Sequence, residues 1–379
     1  MTESINNICG ELLQNPHISD LHATVNEQIW QRVDGDIIKT DSAVISSTDI
    51  HILVNLLAPA IDNIEAELKR SEAVRGTEDQ RDGIDFSAKL QNTRLRVNLS
   101  KANAGQLSLV MRKLNDRIPT FEETGLPQVV MQQARRPSGL VLVTGPTGSG
   151  KSTTIAALLE EINATEAKHI LTIEDPVEYE LVSKKCKITR KEIGHDTPSY
   201  PAALRASLRQ DPDIIMVGEI RDCETMRIAF SAAESGHLVF ATMHTNSAVK
   251  TVDRVTSFFP GDEKEWAANV FATTLNCIVS QTLVRKIGDH GRVLAYELLI
   301  NGADVKNLIS EQKTSQIAGA IEQGKDKGHV SMNRMLTGLV RDKIISISRA
   351  FAATYNPVGL KQTLEQAGIR PSQDDMGIL

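Results

Sequence analysis

Leu140-Val141-Leu142-Val143-Thr144-Gly145-Pro146-Thr147-Gly148-Ser149-Gly150-Lys151-Ser152-Thr153-Thr154-Ile155-Ala156-Ala157-Leu158-Leu159 runs from a short apolar segment through a glycine-rich turn into a helix-like segment. Within it, Gly145 to Ser152 spells G-x-x-x-x-G-K-S, and strand, turn and helix in that order are the context this motif requires. Glycines let successive backbone N–H groups converge on nucleotide phosphates, and the helix N-terminus adds positive dipole. Lys151 is suited to neutralise the outer phosphates and the Ser152 hydroxyl to meet magnesium. The stretch Gly145, Pro146, Thr147, Gly148, Ser149, Gly150, Lys151, Ser152 and Thr153 is therefore the candidate site for a nucleoside triphosphate.

Outward from this loop, from about residue 127, short apolar runs alternate with helical stretches, the pattern of a parallel sheet with crossover helices. The expected strands are 140–144, 169–174, 214–218 and 237–242. In an open α/β sheet, ligands gather at the carboxyl ends of strands, so Gly145, Glu174-Asp175, Glu219 and His244 are expected to converge. Ile214-Ile215-Met216-Val217-Gly218-Glu219 has the apolar run of a Walker B motif, with glycine where many such enzymes carry a magnesium aspartate. Glu219 is placed to orient or deprotonate the attacking water, its alternative being a helix cap or surface glutamate. Glu174 is the candidate for water-mediated magnesium coordination, although an acidic turn after a strand is common. His244 sits where a γ-phosphate sensor belongs and His237 brackets the same strand; a lone histidine is more often a satisfied structural group.

Charge on a transferred phosphoryl group is often stabilised by a guanidinium from a neighbouring subunit. Arg94 and Arg96 fall on the non-core face of an expected strand and Arg112 ends another; a solvated face is the usual fate of such residues. Arg205, Arg209 and Arg221 flank the Walker B strand and read equally as ion-pair partners of nearby acids.

Residues 1–116 read as a smaller N-terminal α+β domain, with a turn at Val33-Asp34-Gly35-Asp36 and a helical segment over 48–73. Period-two alternation from 84 to 112 predicts a three-stranded antiparallel unit whose buried face holds Ile84, Phe86, Ala88, Leu90, Leu95, Val97, Leu99, Leu107, Leu109 and Met111. Turns are expected at Asn92-Thr93 and Asn103-Ala104-Gly105. Residues 117–127, with Pro119 and Pro127, read as a linker, 128–356 as the P-loop domain with a mostly helical 263–350, and 357–379 as a polar tail.

Composition sets outer bounds. The 379 residues allow two or three domains, and 41% hydrophobic content is ordinary for globular cores. No apolar stretch approaches the roughly 20 residues of a membrane span, and no signal peptide is read. Cys9, Cys186, Cys223 and Cys277 form no C-x-x-C pair, against a zinc site or a disulfide framework and in keeping with a reducing cytoplasm. A net charge of −6 without a dense basic stripe lacks the footprint of a nucleic-acid binder.

Taken together, G-P-T-G-S-G-K-S-T-T, H-I-L-T-I-E-D-P-V-E-Y, A-L-R-A-S-L-R-Q-D-P-D-I-I-M-V-G-E-I-R-D and S-G-H-L-V-F-A-T-M-H-T-N-S-A resemble the Walker A, Asp box, Walker B and His box of the secretion superfamily of hexameric ATPases. Within it the chain is similar to the PilT-type pilus retraction motors. I-S-D-L-H-A-T (18–24), Q-R-V-D-G-D (31–36), G-I-D-F-S (83–87) and R-L-R-V-N (94–98) resemble the family's PAS-like domain, so the likeness covers about residues 15–360. The resemblance implies an α/β fold, a RecA-like P-loop domain with a PAS-like domain before it. It also implies a cytoplasmic homohexamer, peripheral at the inner membrane, that uses ATP and Mg2+ to do mechanical work on an inner-membrane platform or secretion-channel protein.

Carried over by position, it makes Glu174, Asp175, Glu219, His237 and His244 nucleotide-site residues, with Lys151, Glu219 and His244 catalytic and Ser152 and Glu174 at the metal. Arg96 and Arg112 become arginines acting in trans. Two departures stand out. The family's A-I-R-N-L-I-R-E segment reads Val305-Lys306-Asn307-Leu308-Ile309-Ser310-Glu311 here, with serine for an arginine at Ser310, and the tetracysteine module of pilus-assembly and type II secretion ATPases is absent. A RecA-like nucleic-acid motor and a weakly catalytic accessory ring are the competing readings.

Overall fold

The computed structural model describes residues 10, 15, 17–33, 36–59, 61, 63–73, 83–91, 93–114, 117–288 and 291–376, the side chains of 70–73 excepted. The chain forms two compact units, residues 1–117 with 176–180 and residues 118–175 with 181–379.

The first unit contains β1 (Ile18–Thr24), β2 (Trp30–Val33), β3 (Asp36–Lys39), α1 (Ser47–Leu57), α2 (Ile64–Ala73), β4 (Ile84–Leu90), β5 (Thr93–Ala102) and β6 (Gln106–Lys113). The strands form one sheet in the order β3-β2-β1-β6-β5-β4 with every pairing antiparallel. The expected three-strand unit is thus half of a larger sheet. Its alternation holds: Leu95, Val97, Leu99, Leu107, Leu109 and Met111 are buried against Ile50, Leu53 and Val54 of α1, while Ile84 and Phe86 are half-buried at its margin. The helical segment read over 48–73 is two helices. Pro59 cannot donate to a helix ladder, and the chain breaks there. Ser46 and Asp49 close α1 with a capping box. Asp34, Gly35 and Asn92 of the expected turns lie outside the described residues.

Arg94 is not solvated. It is 8% exposed, and its guanidinium donates to the carbonyls of Val177 (2.6 Å) and Glu178 (2.9 Å), all within the first unit.

The second unit runs α3 (Gln128–Ala134), β7 (Gly139–Thr144), α4 (Lys151–Thr165), β8 (His169–Glu174), β9 (Lys187–Glu192), α5 (Tyr200–Ser207), β10 (Ile214–Val217), α6 (Cys223–Glu234), β11 (Leu238–Met243), α7 (Ala248–Ser257) and α8 (Lys264–Thr274). It continues through β12 (Leu275–Arg285), β13 (Arg292–Ile300), α9 (Ala303–Ser310), α10 (Ile317–Gln323), α11 (Met332–Arg341), α12 (Ile347–Ala353), α13 (Pro357–Gln366) and α14 (Gln373–Met376). Seven strands in the order β13-β12-β7-β11-β10-β8-β9 make one sheet, parallel except for the edge strand β13.

β7, β10 and β11 are buried at every position, as expected of strands covered on both faces. Three readings change here. Residues 263–350 include the β12–β13 hairpin, residues 357–366 of the tail are helical, and Phe121 and Leu126 of the 117–127 segment are buried in this unit's core. The sequence does hold one basic run, Lys184-Lys185-Cys186-Lys187-Ile188-Thr189-Arg190-Lys191, five basic residues in eight, leading into and along β9. Lys184 in this run is paired to Glu160.

Candidate functional site

The parallel register brings the carboxyl ends of β7, β8, β10 and β11 to one edge of the second unit. At this edge the chain after β7 turns through Gly145, whose φ of +150° lies in the region that favours glycine. A Cβ there would meet the carbonyl of Gln281 and lie 2.6 Å from Ser149 Oγ. Lys151 begins α4 and is 9% exposed, its Nζ donating to the carbonyls of Gly145 (2.9 Å) and Pro146 (3.0 Å). The ammonium therefore lies inside the curl of the loop. Ser149 Oγ is buried and without a hydrogen-bond partner, a donor that a phosphate oxygen would satisfy. Pro146, Thr147 and Gly148 form the exposed rim, with Ser152 and Thr153 half-buried on the first turn of α4.

β10 ends at Val217, and Glu219 follows with its side chain 15% exposed. Oε1 lies 3.0 Å from His244 Nε2, and Oε2 accepts a hydrogen bond from Arg221 Nη2 at 2.6 Å. Burial works against ionisation of this carboxyl, but the Arg221 hydrogen bond and charge, with His244, hold it below the ordinary range. Glu174 is the last residue of β8 and is 8% exposed, and Asp175 follows it. Tyr200 lies near this acidic group: burial and then the charges of Asp175, Glu174 and Glu219 push its phenol far up, so it remains a neutral hydrogen-bond donor.

Four residues that motif reading did not assign shape this edge. Tyr200 and Arg221 face the acids. Thr242 Oγ1 donates to Gly218 O, stitching the ends of β10 and β11 together. Gln281 of β12 is 2% exposed; its Nε2 donates to Ser149 O at 2.8 Å and its Oε1 accepts from Thr154 Oγ1 at 3.0 Å, which fixes the loop to the sheet.

His237 does not join the group. It precedes the first residue of β11, where its carbonyl accepts from Gly139 N at the start of β7, so it lies about 20 Å from His244 along the strand. Its Nδ1 lies 3.0 Å from Ala232 O, a structural contact. Arg96 and Arg112 belong to the first unit. They sit opposite one another on β5 and β6, and Arg112 is opposite Asp20, which is opposite Arg32. This places Arg32, Asp20, Arg112 and Arg96 in one row across the sheet. Asp20, 3% exposed, accepts from Arg112 Nε at 2.5 Å and lies 3.8 Å from Arg32 Nε. Arg96 lies 3.9 Å from Asp85.

A phosphate loop with a buried lysine, a carboxylate two strands away across β11 and an α/β sheet behind them define a P-loop nucleotide hydrolase. Residues 10–362 match the family described as Type II/IV secretion system protein, and the chain belongs to that family. It is 42% identical over 333 residues to the type IV pilus retractation ATPase PilT of Pseudomonas aeruginosa, covering 88% of this chain and 93% of that protein. To a twitching motility protein of Neisseria gonorrhoeae it is 44% identical over 274 residues, 72% of this chain and 73% of that one. Among solved structures, the pilus retraction motor PilT with bound ADP superposes with a TM-score of 0.82 at 36% identity, over 94% of this chain and 98% of the other. The Legionella pneumophila ATPase DotB gives 0.74 at 25% identity, over 92% and 93%. The chain is thus an ATP-binding ATPase of the pilus and secretion class.

Proposed function

We propose that this ATPase is a motor for type IV pilus retraction that works as a homohexamer at the cytoplasmic face of the inner membrane, on a platform protein there. The observation that carries the reading is the convergence of Lys151, Glu219 and His244 on one sheet edge, in a chain whose likeness to a retraction ATPase spans both units. Lys151 and the loop N–H groups bind the outer phosphates of ATP, Glu219 orients the attacking water, and His244 couples that carboxylate to the end of β11. Ser152 and Glu174 are the groups for Mg2+. The described residues hold no cluster of three His, Cys, Asp or Glu that could bind a metal alone, which suits a cation that keeps several waters and leans on nucleotide phosphates. When bound, it neutralises phosphate charge. Arg96 and Arg112 would serve the nucleotide of a neighbouring subunit. Among the described residues no helix is long and apolar enough to cross a membrane.

The likeness to DotB supports a close second reading, in which the same core drives a secretion or conjugative channel. A strain whose only copy carries Glu219→Gln separates the two. Excess surface pili with lost motility is the outcome expected of a retraction motor. Normal pili with lost DNA or effector transfer would assign the motor to a channel, and missing pili would contradict retraction.

A further inference from the structure

Gly218 stands where P-loop enzymes carry an aspartate that helps hold magnesium, and a side chain from another element reaches that place. Tyr200 opens α5, where Ser199 caps the helix by accepting from Ala202 N at 3.3 Å and Pro201 fixes the next φ. Its ring packs against the core cluster that includes Ile173 of β8 and Val217 of β10. Its hydroxyl lies 2.8 Å from the point a Cβ on Gly218 would occupy, a point 3.1 Å from Ile173 O and 3.4 Å from Glu174 Cα. The phenol oxygen therefore sits at the notch between the ends of β8 and β10, where the side chain of a Walker B aspartate would begin. The backbone of that notch is pinned, since Gly218 N donates to Ile173 O at 2.8 Å and Gly218 O accepts from Thr242 Oγ1.

Among the described residues the Tyr200 hydroxyl has no hydrogen-bond partner. Burial and the charges of Asp175, Glu174 and Glu219 keep it protonated. A neutral phenol can donate one hydrogen bond and accept another, so it can receive one from a water while adding no negative charge to the three acids. Mg2+ retains several waters when bound, and each of those waters has hydrogens that need an acceptor.

We propose that Tyr200 is a positioning residue for Mg2+, its hydroxyl standing in for the Walker B aspartate by accepting from a water of the cation's shell beside Glu174. This rests on the placing of Mg2+ at Ser152 and Glu174 given above. It separates Tyr200 from Lys151, whose charge serves the phosphates: loss of the hydroxyl weakens the response to Mg2+ and leaves metal-free nucleotide binding intact.

The test is ADP affinity of the full-length protein, as parent, Tyr200→Phe and Glu174→Gln, in excess chelator and then across a Mg2+ titration, with the thermal midpoint of each protein without nucleotide. The same titration is followed by ATP hydrolysis. Tyr200→Phe keeps the ring, so its thermal midpoint and its ADP affinity in chelator are expected to match the parent. The gain in ADP affinity on adding Mg2+ is expected to shrink by about 3-fold to 10-fold, the worth of one hydrogen bond. The Mg2+ concentration for half-maximal hydrolysis rises with it.

An unchanged Mg2+ response in Tyr200→Phe would overturn the proposal. So would ADP binding weakened equally in chelator, or a fall in thermal midpoint that accounts for the loss, since either marks a packing role. Glu174→Gln with a full Mg2+ response would remove the cation placement on which the proposal rests. An impaired Glu174→Gln beside a parent-like Tyr200→Phe removes only the role of Tyr200.

Discussion

Gly218 occupies the position where many P-loop enzymes carry a carboxylate, and the structure supplies a steric reason. A Cβ on Gly218 would come within 2.8 Å of Tyr200 Oη and 3.1 Å of Ile173 O. Tyr200 fills the space an aspartate would need. Gly218→Asp is therefore expected to cost about 1–3 kcal/mol of stability through overpacking and to lower hydrolysis, measured by thermal unfolding and ATPase rate; a more active variant would show the site to be open. Lys151, Glu174, Glu219 and His244 were legible in sequence because each follows a buried apolar run that reveals its own strand end. Gln281 was not, since its hold on Ser149 joins residues 132 positions apart. Arg221 was visible only as one arginine among several, because no local spacing says which acid it will face.

At the scale of elements, the parallel core was readable and the β12–β13 hairpin was not. Leu275-Asn276-Cys277-Ile278-Val279-Ser280-Gln281 is buried throughout, so it shows no two-residue alternation, and its polar members bond to neighbouring strands and loops instead of marking a surface. β13 contributes a buried carboxylate that ties α7, α11 and the loop between α12 and α13 together. Glu297, 1% exposed, accepts from Ala248 N at 2.7 Å, from Met332 N and from the Tyr355 hydroxyl. Glu297→Ala leaves these donors unpaired and is expected to cost about 3 kcal/mol, read from denaturant unfolding.

Burial raises the Glu297 carboxyl above its ordinary value despite those donors. A folded pKa above the unfolded one contributes stability at low pH that is lost as pH rises through the folded value. Glu297→Gln cannot ionise, so its stability relative to the parent should improve as pH rises above about 4.5. A difference that is flat with pH would contradict the assignment.

At the scale of the molecule, the phosphate loop and the row of Arg32, Asp20, Arg112 and Arg96 belong to different compact units. The proposed ring joins the loop of one subunit to the arginines of another, so neither half should suffice alone. The most direct measurement mixes two inactive proteins, Lys151→Ala and Arg96→Ala/Arg112→Ala, under conditions where subunits exchange, and follows ATP hydrolysis. In randomly mixed rings about a quarter of the interfaces pair an intact loop with intact arginines, and activity well above the sum of the separate proteins is the predicted result. Activity no greater than that sum, or a fully active Arg96→Ala/Arg112→Ala protein on its own, would contradict a site built from two chains.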